Sequence, residues 1–180
     1  MNGYLLDNNV LSILARPSDP RFPVVSGRLA TVGQSPVLLP VIAIAEIEFG
    51  MAKAENPDAK QQADLRSFLA SFPHPLPIDH HTIEPYALIR AELWRRNATL
   101  KTRGHKEKLP EELTDRVTGK ELGIDERDIL IASVAVQYKL VLATTDRNAG
   151  MLRIEEAAAA LEERGAPIHL QVEDWSIAVN

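Results

Sequence analysis

Short apolar segments alternate with amphipathic segments along this chain, and that alternation limits the possible folds more than any other feature. The predicted strands are residues 3–7, 37–40, 76–78, 140–143 and 168–172. The predicted helices are residues 9–16, 21–32, 41–55, 59–72, 85–96, 126–138 and 155–164. Short strands joined by helices form a parallel sheet that helices cover on both faces. We therefore predict an α/β three-layer sandwich around a central parallel sheet of four to five strands.

Composition sets wider limits. The chain has 180 residues, of which 45% are apolar, so we predict one domain over residues 1–180 with a polar insertion at about 97–123 and a helix from Pro110. The absence of cysteine excludes disulfides and thiolate metal sites. The longest uncharged stretch, 29–45, is broken by two prolines, and the N-terminus does not resemble a secretory signal. We expect a cytoplasmic protein without a membrane partner.

Four acidic residues stand beside segments that should be buried. They are Asp7, Glu46, Asp128 and Asp146. Right-handed crossovers place the loops that follow parallel strands at one end of a sheet, where such folds bind ligands. Four carboxylates that meet there repel one another, and a divalent cation relieves the repulsion. The arrangement therefore indicates a metal-binding nuclease.

Helix capping is an alternative explanation for most of these acids. Asp7, Asp125 and Asp146 each stand where a helix could begin, and aspartate is a favoured N-cap. Asp125 and Asp128 also have the spacing of a capping box. Asp125 could cap its helix or join the metal shell.

Glu46 is harder to explain by capping, because its neighbours three and four residues away are apolar and include no basic partner. Glu48 faces the opposite side of the same predicted helix. Periodicity alone does not decide which of the two glutamates points inward.

Four motifs taken together resemble the PIN-domain ribonucleases, and within them the VapC-type toxins of type II toxin-antitoxin pairs. The motifs are YLLDNNVLS at 4–12, AEIEFG at 45–50, RDILIAS at 127–133 and LATTD at 142–146. The resemblance covers most of the chain and implies a PIN-like sandwich. It also implies a catalytic, metal-binding quartet of Asp7, Glu46, Asp128 and Asp146, with Asn9 and Thr144 as supporting polar residues.

The resemblance implies a chemistry and partners as well. Clustered carboxylates without cysteine favour Mg²⁺ or Mn²⁺ over Zn²⁺, with Asp7 and Asp128 as direct ligands and Glu46 and Asp146 completing the shell. The expected reaction is hydrolysis of an RNA phosphodiester. The expected partners are the RNA substrate, a small cognate antitoxin and a second copy of the chain. Asn8 departs from the family, in which a small hydroxyl residue is commoner at this position.

A basic segment could contact RNA although the net charge is −5. Its cationic residues are Arg95, Arg96, Lys101, Arg103, Lys106 and Lys108. The alternative is a solvated helix end and loop.

Two rival functions remain open. DNNV at 7–10 and GIDERD at 123–128 approach the motifs of haloacid-dehalogenase-like phosphatases, although Asn9 replaces the second aspartate that such chemistry needs. The other rival is a non-catalytic protein-binding module in which the acids only cap helices.

Overall fold

Four short parallel strands form the centre of the fold. The computed structural model describes residues 3–98, 109–114, 118 and 120–178. The strands are β1 (Tyr4–Leu6), β2 (Val37–Leu38), β3 (Val141–Thr144) and β4 (Gln171–Asp174). Their order in the sheet is β2-β1-β3-β4, and every neighbouring pair is parallel. All four strands therefore end at the same edge, and the predicted parallel sheet is confirmed.

Helices cover both faces of this sheet. They are α1 (Asn8–Leu14), α2 (Phe22–Thr31), α3 (Val41–Ala52), α4 (Ala59–Ala70), α5 (Ile83–Asn97), α6 (Glu126–Tyr138) and α7 (Ala149–Glu163). Successive residues of a strand point to opposite faces. Accordingly, Leu5 and Leu142 join a core with α5, α6 and α7, whereas Leu6 and Ala143 join a second core with α1 to α4. The three-layer prediction is confirmed.

The predicted strand at 76–78 is reduced to a single parallel bridge between Pro40 and Leu76. Leu76 donates its N–H to the carbonyl of Leu39 at 2.8 Å and accepts from the N–H of Val41 at 2.9 Å. Prolines on both sides of Leu76 lack the N–H that would continue the ladder. The segment therefore follows β2 for one residue only.

Two other predicted elements shift along the chain. The last strand begins at Gln171 rather than at 168, because Ile168 packs into the core without joining the ladder. The last helix begins at Ala149 rather than at 155, because the side chain of Asn148 caps it by accepting from the N–H of Met151 at 2.9 Å.

The predicted polar insertion is described only in part. At Pro110 the chain forms a short 3-10 turn, Pro110–Glu112, rather than a longer helix. Thr114 forms an isolated antiparallel bridge with Glu121.

No helix among the described residues combines the length and apolar character needed to cross a bilayer.

A contact between two glycines fixes the loop that leads into α6. Gly123 has a positive φ of 68°. A Cβ on Gly150, in the first turn of α7, would lie 1.9 Å from the carbonyl oxygen of Gly123. Only glycine fits so close an approach of two backbones. This contact sets the start of α6 against α7.

Candidate active site

Asp7 forms the buried floor of the candidate site, at the carboxyl end of β1. Its side chain is almost inaccessible and accepts hydrogen bonds from Thr144 Oγ1 at 2.8 Å, from the N–H of Asn8 at 2.6 Å and from Asn9 Nδ2 at 3.4 Å. Burial raises the pKa of Asp7, whereas the bonds from Thr144 and Asn8 lower it, and the nearby carboxylate of Asp146 raises it again. The fold therefore holds Asp7 in one place while making its negative charge costly.

Asp146 lies next to Asp7, two residues after the end of β3. Its N–H donates to Thr144 Oγ1 at 3.0 Å, and its carboxylate accepts from the N–H and the Nδ2 of Asn148, both at 2.9 Å. Asn9 Nδ2 lies 3.4 Å from a carboxylate oxygen of Asp146 and 3.4 Å from one of Asp7. Asn9 and Thr144, the two predicted supporting residues, thus each contact both aspartates.

Asp128 comes to the same place from the first turn of α6. Burial and then the carboxylates of Asp7, Asp125 and Asp146 raise the pKa of Asp128 from 3.8 to about 7, against an opposing effect of Arg127. Burial and the neighbouring acids thus make the negative charge of Asp128 costly. The carboxylate of Asp7, from the first half of the chain, therefore lies near enough to Asp128, from the second half, to raise its pKa.

Glu46 points toward this acidic cluster and Glu48 points away from it. Glu46 on α3 accepts from Asn8 Nδ2 at 3.2 Å and forms an ion pair with Arg127. Glu48 forms a two-pronged ion pair with Arg66 of α4, at 2.9 and 2.8 Å. Because each glutamate has a separate cation, the structure separates two residues that periodicity alone left equivalent.

Arg127 is the residue at this site that the sequence did not predict. Asp125 caps α6 and accepts from the backbone N–H of Arg127 at 2.9 Å and from its Nε at 2.8 Å. The same guanidinium reaches across to Glu46 on α3. The neighbours of Glu46 along its own helix could not reveal this pair, because the partner lies 81 positions away. The available signal was the basic residue directly before Asp128.

The donor set suits a hard divalent cation, although its side chains are not gathered around one point. Among the described residues, no group of three or more histidine, aspartate or glutamate side chains is close enough to hold a metal ion. The carboxylates of Asp7, Glu46 and Asp146 instead contact protein donors. Asp7 and Asp128 have raised pKa values. Such an excess of negative charge with oxygen donors alone fits Mg²⁺ or Mn²⁺. Ion binding requires some of these side chains to exchange partners.

The basic segment is described only at its start. Arg95 pairs with Glu92 at 3.1 Å, and Arg96 donates to the carbonyl of Glu156 at 2.8 Å. Arg95 thus forms an ion pair within α5, and Arg96 connects α5 to α7. The other predicted phosphate contacts, Lys101, Arg103, Lys106 and Lys108, lie outside the described residues.

The model of the PIN domain matches residues 4–157, and the chain belongs to that family. The resemblance noted in the sequence is thereby confirmed, and the haloacid-dehalogenase alternative loses its support. None of the curated proteins compared with the chain matches it significantly.

Several solved structures share this fold. FitAcB from Neisseria gonorrhoeae matches with a TM-score of 0.62 and 24% identity, over 97% of this chain and 99% of the other. VapBC-1 from nontypeable Haemophilus influenzae matches with a TM-score of 0.61 and 18% identity, over 97% and 98%. DNA-bound VapBC from Salmonella typhimurium matches with a TM-score of 0.58 and 18% identity, over 97% and 99%. At these identities the likeness establishes the fold.

Proposed function

We propose that this chain is a metal-dependent endoribonuclease and the toxin of a VapBC-like toxin-antitoxin pair. The supporting observation is the proximity of these acids at the carboxyl edge of a PIN-family sheet: Asn9 and Thr144 link Asp7 to Asp146, Asn8 contacts Glu46, and Asp7 and Asp146 raise the pKa of Asp128. Carboxylates assembled in this way bind the divalent ions that phosphodiester hydrolysis uses.

In this proposal Asp7 and Asp128 bind the cation directly, and Glu46 and Asp146 complete the shell. When bound, Mg²⁺ or Mn²⁺ would supply the positive charge that makes water more acidic and offsets the negative charge of phosphodiester hydrolysis. The attacking water would lose a proton to solvent as its oxygen bonds to phosphorus, the P–O bond to the leaving ribose oxygen would break, and that oxygen would take up a proton.

The surrounding residues hold the acids in position for this reaction. Thr144 donates to Asp7 and accepts from the backbone of Asp146, which links β1 to the loop after β3. Asn9 lies between the same two carboxylates and reduces their repulsion by offering its amide hydrogens. Burial of Asp7 excludes water from its far side. Because these contacts hold Asp7 and Asp146 in place, the two side chains need to move little when an ion binds.

The proposed partners are based on the solved structures that share this fold. The matching structures include VapBC-5 from Mycobacterium tuberculosis, described as a member of the VapBC family of toxin-antitoxin systems, and FitAB bound to a DNA fragment. The corresponding partner for this chain is a small antitoxin that blocks the acidic site, and we propose a second copy of the chain as a further partner. The substrate is RNA.

Cleavage of RNA by the chelated protein before and after addition of Mg²⁺ or Mn²⁺ tests the enzymatic part. We expect the metal to restore cleavage in the wild type and in Asp64→Asn, an exposed aspartate of α4, and to have no such effect in Asp7→Asn or Asp128→Asn. Full cleavage by either site variant would refute the assignment. Hydrolysis of a phosphomonoester instead would restore the phosphatase alternative. Inertness of the folded protein toward both substrates would favour a binding module.

Expression in bacteria tests the toxin part separately. We expect the wild type to arrest growth, Asp128→Asn to be tolerated, and co-expression of an adjacent small antitoxin gene to restore growth. If cells tolerate the active nuclease at high level, the toxin assignment fails while the nuclease assignment stands.

A further inference from the structure

The guanidinium of Arg127 occupies the side of the acidic cluster where α3 and α6 approach each other. It pairs with Glu46 of α3 and, on its other side, with Asp125 at the start of α6. The side chain of Arg127 is 53% exposed, whereas that of Glu46 is only 16% exposed. The guanidinium of Arg127 therefore lies at the solvent-exposed side of the site, and the carboxylate of Glu46 lies deeper within it.

Both oxygens of Glu46 are engaged by protein donors. Oε1 accepts from Arg127, and Oε2 accepts from Asn8 Nδ2 at 3.2 Å. The charge-assisted contact is the stronger of the two. A metal ion that recruits Glu46 displaces Asn8 from Oε2 or Arg127 from Oε1, and in both cases it competes with the guanidinium for the charge of one carboxylate.

Arg127 keeps a partner when Glu46 leaves it. Its Nε and backbone N–H both donate to Asp125 Oδ1, at 2.8 and 2.9 Å, and its guanidinium also pairs with Oδ2. Because Asp125 belongs to the cap of α6, this anchor does not depend on Glu46. Releasing Glu46 thus leaves neither an unpaired arginine nor an open helix end.

We propose that Arg127 is an internal counter-ion that competes with the divalent cation for Glu46. This inference rests on the proposed function. While the guanidinium holds Glu46, it partly neutralises the cluster and keeps α3 beside α6. When the cation binds, Glu46 changes partner and Arg127 stays on Asp125. Arg127 thereby sets the metal concentration at which the site becomes occupied.

The test is the affinity for Mn²⁺, measured from the electron paramagnetic resonance of the free ion in protein without RNA. We expect Arg127→Met to tighten Mn²⁺ binding by about 2- to 5-fold, the effect of removing a competing ion pair of ordinary strength. Arg127→Lys keeps the charge, so its affinity for Mn²⁺ should lie between that of the wild type and that of Arg127→Met. The matched control is Arg66→Met, which removes the ion pair of Glu48 on the same helix, outside the acidic cluster. We expect less than about a twofold change in that control, in keeping with the distance of the pair from the site.

A double variant shows whether the effect passes through Glu46. In a Glu46→Gln background the gain from Arg127→Met should vanish, because the carboxylate for which the two cations compete is absent. Unchanged or weaker binding by the folded Arg127→Met protein would overturn the inference, and so would a gain that persists in the Glu46→Gln background. Should Arg127→Met fail to fold, Arg127→Gln serves in its place.

Asp128→Asn separates this failure from failure of the proposed function. If the wild type has no saturable Mn²⁺ site that Asp128→Asn removes, the metal-dependent function itself is wrong. If such a site exists and the arginine variants leave its affinity unchanged, only the role of Arg127 is wrong.

Discussion

Replacing Asp128 by asparagine should stabilise the protein when divalent cations are withheld. The pKa of Asp128 is raised from 3.8 to about 7, so the folded state prefers the protonated carboxyl. A carboxyl with a raised folded-state pKa contributes stability that is fully present below pH 3.8 and is lost as the pH rises through about 7. At pH 8 the wild type therefore contains a destabilising charge that Asp128→Asn removes without changing the size of the side chain.

The rise in pKa sets an upper limit on the effect. A rise from 3.8 to about 7 corresponds to about 4 kcal/mol, at 1.36 kcal/mol for each pKa unit. Asp128 retains some contact with solvent, which screens the repulsion, so we expect about 1–3 kcal/mol in the free energy of unfolding. In a protein of this size that difference raises Tm by about 2–10 °C.

Urea unfolding in the presence of a chelator, at pH 4.5 and at pH 8, measures this effect. The advantage of Asp128→Asn over the wild type should be largest at pH 8 and small at pH 4.5, where the wild-type carboxyl is largely protonated. Asp64→Asn is the control and should leave the stability near the wild-type value at both pH values. Saturating Mg²⁺ or Mn²⁺ should stabilise the wild type more than the variant, which lacks a ligand.

Two results would refute this reasoning. One is an Asp128→Asn protein that is less stable than the wild type at pH 8 in chelator. The other is an equal advantage at both pH values, because a contribution that does not change with pH cannot come from ionisation of the carboxyl.

Further predictions concern the frame of the site and its surroundings. Gly150→Ala should lower the free energy of unfolding by about 3 kcal/mol or more in thermal unfolding, because its Cβ would meet the carbonyl of Gly123. Gly50→Ala on α3 is the control: a Cβ there meets nothing within 4 Å, so this substitution should raise the free energy of unfolding by about 0.5–1 kcal/mol. Thr144→Val should cost about 1–3 kcal/mol in urea unfolding by leaving Asp7 without its buried donor, and Thr144→Ser should restore most of the loss. Neutralising the four cationic residues of 101–108 should weaken RNA binding and flatten its dependence on salt concentration, and unchanged binding would return the segment to the solvated-loop explanation.

The sequence predicts the layers of this fold because hydrophobic burial is a property of each segment. β1 and β3 send alternate apolar side chains to two cores, and the helices around them have apolar faces to match. The bridge at Leu76 and the start of β4 were not predicted correctly, because they depend on which backbone groups meet across the sheet. An apolar run between prolines has the composition of a strand but lacks the N–H groups of one.

The acids of the site also divide into those that a local sequence pattern predicts and one that depends on contacts between helices. Asp7 and Asp146 were found because each follows a strand, which is a local pattern. The choice of Glu46 over Glu48 needed the resemblance, since both have apolar neighbours on α3. In the structure the two glutamates differ in their ion-pair partners, Arg127 and Arg66, which come from other helices. A contact across tertiary structure leaves no trace in the periodicity of either helix.

Capping and ligand binding, treated as alternatives in the sequence, are compatible in the structure. Asp7 occupies the N-cap of α1 and accepts from the N–H of Asn8, yet the same carboxylate contacts Thr144 and feels the charge of Asp146. A helix that begins at the carboxyl end of a parallel strand places its capping acid at the edge where ligands bind. A capping contact therefore does not argue against a role for Asp7 in metal binding, and only the response of the protein to added metal separates the two roles.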